Sequence, residues 1–385
     1  MSRKSVALLI ETSNGYCRGL LEGVISYMKE RGNWSVHIQQ TYTDKPPAWL
    51  NSWNADGNIA RIYTDHYGQQ LLKLGFPTVD LNAARHVKGI PWADIDDEAI
   101  AKLAFDHFTE RGFKNLAFCG DSQFAWSLRR CQQFRELANK EGRQFFEYQS
   151  SVGHGEIPDL TAEKKCLSEW ITQLPQPIAI MASHDARAQQ ILDVCGELRL
   201  SVPEKIAVLG VDDDRLICEL CEPTLSSVIP DTKRTGYEAA ELLDKMMDGS
   251  SAIMKTPFLT KPLGIRQRES TNTLAVEDKD IAQALHFIRN HALENIRVND
   301  VLSVISLSRR TFEHRFKTWV GCTPHEEIQR VRMNRVKTFL TETSLSVQEI
   351  AKRTGFEHAE YLAAAFRREN GLTPSEFRSR ESNYS

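Results

Sequence analysis

Acidic, basic and aromatic side chains gather at a few points of the first 270 residues, and most of these clusters directly follow a short apolar run. They are Glu11, Thr12, Ser13 and Asn14; Asp96 and Asp97; Asp121 and Ser122, with Trp126 and Arg130 nearby; His184 and Asp185; and Asp212 and Asp213. As a set, these residue types suit recognition of a sugar. Carboxylates accept hydrogen bonds from adjacent hydroxyls, a planar guanidinium donates to them, and an indole face covers the C–H surface of a ring. Carboxylates and a histidine also serve acid–base chemistry, so an enzyme acting on a sugar is a second reading. Against it, the chain has no G-x-G-x-x-G or G-x-x-x-x-G-K loop to cradle phosphates, and no nucleophile motif. Three of the residues also have plainer readings: Asp96 as a helix N-cap, His184 as the cap of the helix at Asp185, and Trp126 as core.

Positioning those groups is the work of alternating elements. Ser5–Ile10 is an apolar run rich in β-formers, and Tyr16–Lys29 carries Leu20, Leu21, Val24, Ile25 and Met28 at helical spacing. A turn at Gly32-Asn33 leads into a second strand, Trp34–Ile38. The pattern recurs over 57–81 and again from Trp92 onward. There, strands at 116–119, 145–149, 178–182 and 206–211 alternate with helices at 98–111, 125–141, 162–173 and 186–198. This alternation predicts mostly parallel sheets covered on both faces. Ligands of such sheets sit beyond the carboxyl ends of the strands, where the clusters lie. Helix Thr232–Met247 returns to the first lobe if the two lobes cross over.

Several of these stretches resemble a known family. Val208-Leu-Gly-Val-Asp212-Asp213, Arg130 four residues before Phe134-Arg-Glu136, Ser183-His184-Asp185, and Leu225-Ser-Ser-Val228 followed by Gly236-Tyr-Glu-Ala-Ala-Glu-Leu-Leu243 are similar to the sugar-binding core of LacI-type repressors. That core is itself related to periplasmic binding proteins. The resemblance implies a two-lobed α/β sensor over residues 1–272, with Asp96, Arg130, His184 and Asp212 as sugar contacts. Ser13, Asn14, Trp126 and Asp185 complete the candidate ligand-binding set. The LacI-type N-terminal helix-turn-helix is not expected, because the chain starts on the first strand.

The C-terminal hundred residues read differently. In Leu345–Arg378, Ser346 and Glu349 form a possible capping box, and Val347, Ile350 and Ala351 share one helical face. Thr354-Gly355-Phe356 breaks the helix, a second helix runs from His358 to about Glu369, and Asn370-Gly371 closes it. Two short helices joined by a Gly-containing turn suit a helix-turn-helix. The pattern occurs twice: Val298–Val320 holds a short helix, a break near Ser306 and a helix from about Ser308. A helix over Thr323–Thr341 separates the units, spanning roughly 27 Å at 1.5 Å per residue. That is under one DNA turn, so one chain can set both reading helices on one face of a duplex. These units and the closing Gly371-Leu-Thr-Pro374…Phe377-Arg378 resemble the all-α DNA-binding domain of AraC-type regulators, over 281–385 after a linker at 273–280. Candidate DNA contacts are Ser308, Arg309, Arg310, Thr311 and Arg315 in the first unit. In the second they are His358, Glu360, Tyr361, Arg367 and Arg368, the two arginines touching phosphate more than bases.

A LacI-type core joined to an AraC-type reader is the arrangement of the enterobacterial xylose regulators. Asp185–Ala188 (DARA), Val202–Lys205 (VPEK) and His286–Ala292 (HFIRNHA) extend that likeness to nearly the whole chain. It implies a transcription activator with D-xylose as effector, acting as a homodimer on double-stranded operator DNA and contacting RNA polymerase, with no cofactor or metal.

Charge agrees with this division. The chain carries a net charge of -3, but residues 281–385 hold 16 Lys and Arg against 12 Asp and Glu, a net +4 that leaves -7 for the rest. A basic module on an acidic body suits a DNA reader attached to something else. The apolar run before Glu11 is too short for a signal peptide or a membrane span, so a cytoplasmic protein is expected. Of eight cysteines, Cys218-x-x-Cys221 is the one close pair. It lacks a partner pair or nearby His for zinc and reads as two ordinary thiols. A third reading, a DNA-binding protein with a core that senses nothing, is separated from the first by whether any sugar raises its stability.

Overall fold

The computed structural model describes residues 3–31, 33–39, 46–53, 55–82, 87–150, 160–249, 258–273, 275–276 and 278–382. The chain divides into two compact units, Met1–Thr273 and Leu274–Ser385.

The strands of the first unit are β1 (Lys4–Leu9), β2 (Trp34–Gln39), β3 (Gly57–Ala60), β4 (Thr78–Asp80), β5 (Ala93–Ile95), β6 (Asn115–Asp121), β7 (Gln144–Ser150), β8 (Ile178–Ala182), β9 (Ile206–Val211), β10 (Ser226–Ile229), β11 (Phe258–Thr260) and β12 (Gly264–Arg266). Its helices are α1 (Gly15–Glu30), α2 (Ala48–Ser52), α3 (Asp65–Lys73), α4 (Asp97–Glu110), α5 (Ala125–Lys140), α6 (Leu160–Gln173), α7 (Asp185–Glu197), α8 (Arg215–Leu220) and α9 (Thr232–Met247). Two sheets define two lobes. The first is ordered β2-β1-β3-β4 and the second β12-β10-β9-β8-β6-β7, while β5 and β11 pair where the chain passes between lobes. All strand pairings but β10 with β12 are parallel. The central strands β8 and β9 are buried at every residue. Apolar runs such as Ile178–Ala182 are what a parallel sheet sandwiched by helices requires.

After β10 the chain returns to the first lobe through α9, which packs along α1. The approach is close: a Cβ on Gly236 would sit 2.0 Å from the Leu20 carbonyl oxygen. Ala239, Ala240 and Leu243 then share a core with Leu20, Val24 and Tyr27. The short elements α2, α8, β11 and β12 carry too little periodicity to be read from sequence. Cys218 lies in α8 and Cys221 follows it, both buried and unpaired. Among the described residues no group of His, Cys, Asp and Glu can hold a metal ion, and no helix is long and apolar enough to cross a membrane.

The second unit is all helical: α10 (Lys279–His291), α11 (Val298–Leu302), α12 (Arg309–Val320), α13 (Pro324–Glu342), α14 (Val347–Arg353), α15 (Ala359–Asn370) and α16 (Pro374–Ser382). Within the stretch expected as linker, α10 already begins at Lys279, because Asp278 caps it; residues 274 and 277 lie outside those described. The two helix-turn-helix units repeat with an offset of fifty. Ser308 and His358 stand at the N-caps of α12 and α15, and Gly321 and Gly371 close them at φ 82° and 75°. Helix α13 belongs to both cores, Ile328 packing with Phe312 and Phe316, and Met333, Val336 and Leu340 with Leu362 and Phe366. Gly355 has φ +72°, and a Cβ there would meet the Leu293 carbonyl oxygen at 2.9 Å, so both conformation and space demand glycine.

Candidate functional site

The clusters at the strand ends of the sensor unit face one another across the two lobes. On the second lobe, α5 carries Trp126 and Arg130 one turn apart. The Arg130 guanidinium lies over the Trp126 ring at 4.9 Å, and the His184 ring meets that indole edge-on at 5.7 Å. Phe124 stacks on Trp126 at 5.2 Å, so the indole is held between its neighbours, half-buried. Arg130 is anchored at two points, donating from Nε to Asp97 Oδ1 at 2.8 Å and from Nη1 to the Ser183 carbonyl at 2.6 Å. Its guanidinium is buried and charged, and the ion pair with Asp97 makes that tolerable.

His184 does not cap α7 with its side chain. The imidazole instead faces Ser183 Oγ at 3.0 Å and Asp121 Oδ2 at 3.6 Å. Ser183 donates its one proton to Asp121 at 2.8 Å. The imidazole proton therefore sits on Nδ1, leaving Nε2 as an acceptor. Burial lowers the His184 pKa to about 4, against the pull of Asp121, so the ring is neutral at pH 7. Asp121 is itself tied down by Arg187, which also pairs with Glu163 at 2.7 Å.

Asp212 follows β9 with φ +116°, a conformation that L-residues avoid. Among the described residues its carboxylate takes no hydrogen bond. Burial raises its pKa to about 7, opposed by Arg130 and Arg61. From the first lobe, Tyr16 donates to Asp94 Oδ1 at 3.1 Å. Burial, then the Asp97 charge, lifts the pKa of Asp94 to about 6. The lobes are joined directly at Asp214, whose Oδ2 accepts from the Gly15 amide at 3.0 Å while Oδ1 caps α8 at Leu216.

Trp126, Arg130, His184 and Asp212 are thus gathered in one place. The other four expected contacts are placed differently. Asp185 is buried behind the cleft. Its Oδ1 accepts from Ser227 at 2.6 Å and its Oδ2 from the Asp214 amide at 2.8 Å, so both oxygens already hold the protein's own groups. Asp96 and Asn14 cap α4 and α1, accepting from Ala99 at 2.9 Å and Cys17 at 2.8 Å. Ser13 is exposed beside the α1 start. The carboxylate that engages Arg130 is Asp97, one residue beyond Asp96. Tyr16, Arg61, Asp94, Arg187 and Asp214 were not singled out as ligand-site residues. Arg61 was detectable, since it directly follows strand β3; Tyr16 gives no comparable signal.

On the reader unit, the α12 arginines have different surroundings. Arg309 pairs with Glu313 at 2.9 Å and reaches Asn299 at 3.3 Å. Arg310 is exposed, with no partner among the described residues. Arg315 is exposed and pairs with Asp278 at the start of α10 at 3.3 Å. Ser308 Oγ accepts from the Thr311 amide at 3.3 Å, so both residues serve the cap. On α15, His358, Glu360, Arg367 and Arg368 are exposed, and Tyr361 is 66% exposed rather than part of the inner face, which Leu362 and Phe366 fill.

A family model described as a periplasmic binding protein-like domain matches residues 105–271, and one described as a helix-turn-helix domain matches 302–380. The Xylose operon regulatory protein of Escherichia coli K12 is 31% identical over 384 residues, covering 98% of this chain and 97% of that one. Its counterpart in Haemophilus influenzae is 30% identical over 381 residues, 97% of each chain. The chain belongs to the xylose operon regulator family. A solved structure of a xylose-binding transcription activator superposes with a TM-score of 0.83 at 30% identity, covering 98% of both chains. The chain is therefore a DNA-binding transcription regulator with a sugar-sensing domain, and the reading of the cleft as an enzyme site is set aside.

Proposed function

We propose that this regulator is a D-xylose-responsive activator whose sugar binds between the lobes of the sensor unit. The observation that supports it most is the cleft itself. An indole, a neutral imidazole acceptor and an unpartnered carboxylate at Asp212 converge in a chain that resembles xylose operon regulators along its whole length. Trp126 holds Arg130 and His184 in place, these two meet hydroxyl oxygens and hydrogens, and Asp212 accepts from one or two hydroxyls. Sugar favours lobe closure to the extent that it binds the closed lobes better than the open ones. Closure then changes how the reading helices of a homodimer engage repeated half-sites, and the bound dimer contacts RNA polymerase. Arg310 reads bases from the start of α12, with Arg367 and Arg368 on phosphates. The protein works in the cytoplasm, where both DNA and the imported sugar are found.

The test is the melting temperature of the protein against a panel of pentoses and hexoses. D-xylose raises it by mass action, and other pentoses raise it less. No shift with any sugar, in well-folded protein, rejects the reading.

A further inference from the structure

We propose that Arg61 is a ligand contact, donating from Nε to an oxygen of the same neutral diol that Asp212 holds from the opposite lobe. This rests on the sugar reading above. Arg61 follows β3 in the first lobe and is committed through Nη1, which donates to Glu11 Oε1 at 3.1 Å and to Cys17 Sγ at 2.8 Å. The rings of Tyr16 and Tyr63 flank the guanidinium at 5.3 and 5.0 Å. Tyr63 also donates to Glu11, so the carboxylate that anchors Arg61 is itself fixed. Yet Nε is buried and has no hydrogen-bond partner. An unmet donor on a buried guanidinium is costly, and such an atom needs an explanation.

Its neighbours supply one. The Tyr16 ring lies 5.3 Å from the Arg61 guanidinium and its hydroxyl donates to Asp94 at 3.1 Å. This sets Arg61 beside the cluster of Asp94, Arg129, Asp97 and Arg130, and Asp212 feels the charge of both Arg61 and Arg130. The cleft therefore holds an unmet donor on one lobe and an unmet acceptor on the other. Two adjacent hydroxyls satisfy both: one donates its proton to the Asp212 carboxylate, and the oxygen beside it accepts from Arg61 Nε. The arrangement also selects the ligand class. Glu11 already balances the Arg61 charge and Asp97 that of Arg130. Among the described cleft residues every arginine already has a carboxylate, Arg129 sharing Asp97 and Asp94, so none is left to hold a phosphate or a sugar acid. The cleft takes a neutral polyol and excludes its phosphorylated form.

Calorimetric titration of the full chain with D-xylose, its singly deoxygenated analogues and D-xylose 5-phosphate tests this. The variants are Arg61→Lys, which keeps the charge beside Glu11 but has no donor at Nε, and Arg61→Gln, with melting curves to confirm folding. The unsubstituted protein binds D-xylose and not the phosphate. Both variants bind D-xylose about tenfold or more weaker. One deoxy-sugar loses a similar factor on the unsubstituted protein and loses little further on Arg61→Lys. A merely structural role for Arg61 would instead weaken every analogue by the same factor, and that result overturns the proposal, as does undiminished D-xylose binding by Arg61→Lys. If neither variant folds, the arginine Nε–H signals of the unsubstituted protein decide by NMR: one becomes protected from exchange when D-xylose is added, and no change overturns the proposal. Failure of the unsubstituted protein to bind any pentose overturns the sugar reading, and this inference with it.

Discussion

Two arginines, Arg130 in the cleft and Arg310 on α12, show how differently the sensor and the reader use one side chain. Arg130 is 5% exposed, ion-paired at 2.8 Å, bonded to a carbonyl at 2.6 Å and laid over an indole. Arg310 is exposed and touches no partner among the described residues. The cleft must present fixed hydrogen-bonding atoms to a small neutral ligand, which favours arginines that are buried, paired and immobile beforehand. The reading helix addresses a polyanion whose attraction is long-ranged, so its cations stay solvated and free until they meet it. Fixed charge costs folding stability and yields selectivity; free charge does the reverse.

The largest expected effect follows from breaking the fixed side. Asp97→Ala leaves Arg130 buried without its counter-ion and should destabilise the sensor unit by about 3–5 kcal/mol in denaturant unfolding. Arg310→Ala, its counterpart on the free side, should leave the fold unchanged. It should cost about 1–3 kcal/mol of DNA affinity, measured by fluorescence anisotropy on a selected duplex.

Asp212→Asn sharpens the contrast, because it alters a carboxylate that takes no hydrogen bond among the described residues. It should weaken D-xylose by tenfold or more, roughly one charge-assisted hydrogen bond, without loss of fold. Proton linkage checks the same residue. In the folded chain Asp212 holds its proton up to about pH 7, whereas the unfolded carboxyl ionises near its ordinary value of about 4. The folded state binds more protons between those limits, so this group makes stability fall as pH rises through that window. His184, held neutral down to about pH 4, acts in the opposite sense below its ordinary value. The difference between the unsubstituted protein and Asp212→Asn isolates the first term. Since a sugar hydroxyl donates to the ionised form, binding should release protons near pH 7. Calorimetry in buffers of different ionisation heat would detect it.

The smallest effect is expected at Arg315. Its pairing with Asp278 makes Arg315→Ala a change of about 0–1 kcal/mol in reader stability, with little change in DNA affinity. A loss as large as that of Arg310→Ala would show that the ion pair opens on DNA.

The same contrast explains what could be read from the sequence. The reader's signals are local: Ser346 and Glu349 make their capping box three residues apart, Gly355 turns the chain within one step, and the fifty-residue offset is visible as a repeat. The cleft is assembled from afar. Arg130 finds Asp97 across 33 residues, Arg187 finds Asp121 across 66, and Gly15 finds Asp214 across 199. The strand-end rule placed Arg130, His184 and Asp212 at the cleft, but it cannot tell which way a carboxylate turns. Asp185 and Asp212 look alike in sequence, yet one is consumed by Ser227 and the Asp214 amide while the other is left open. Asp96 was preferred to Asp97 for the same reason, since one residue of register decides which oxygen caps α4 and which meets Arg130.

The most direct test of the account measures the two sides together. Duplexes selected by the full chain would be titrated with protein, with and without saturating D-xylose, for the unsubstituted chain and Asp212→Asn. The account predicts that sugar tightens DNA binding by about 5-fold or more in the former, a typical coupling free energy, and leaves the latter unmoved. DNA affinity indifferent to a sugar that demonstrably binds would contradict it.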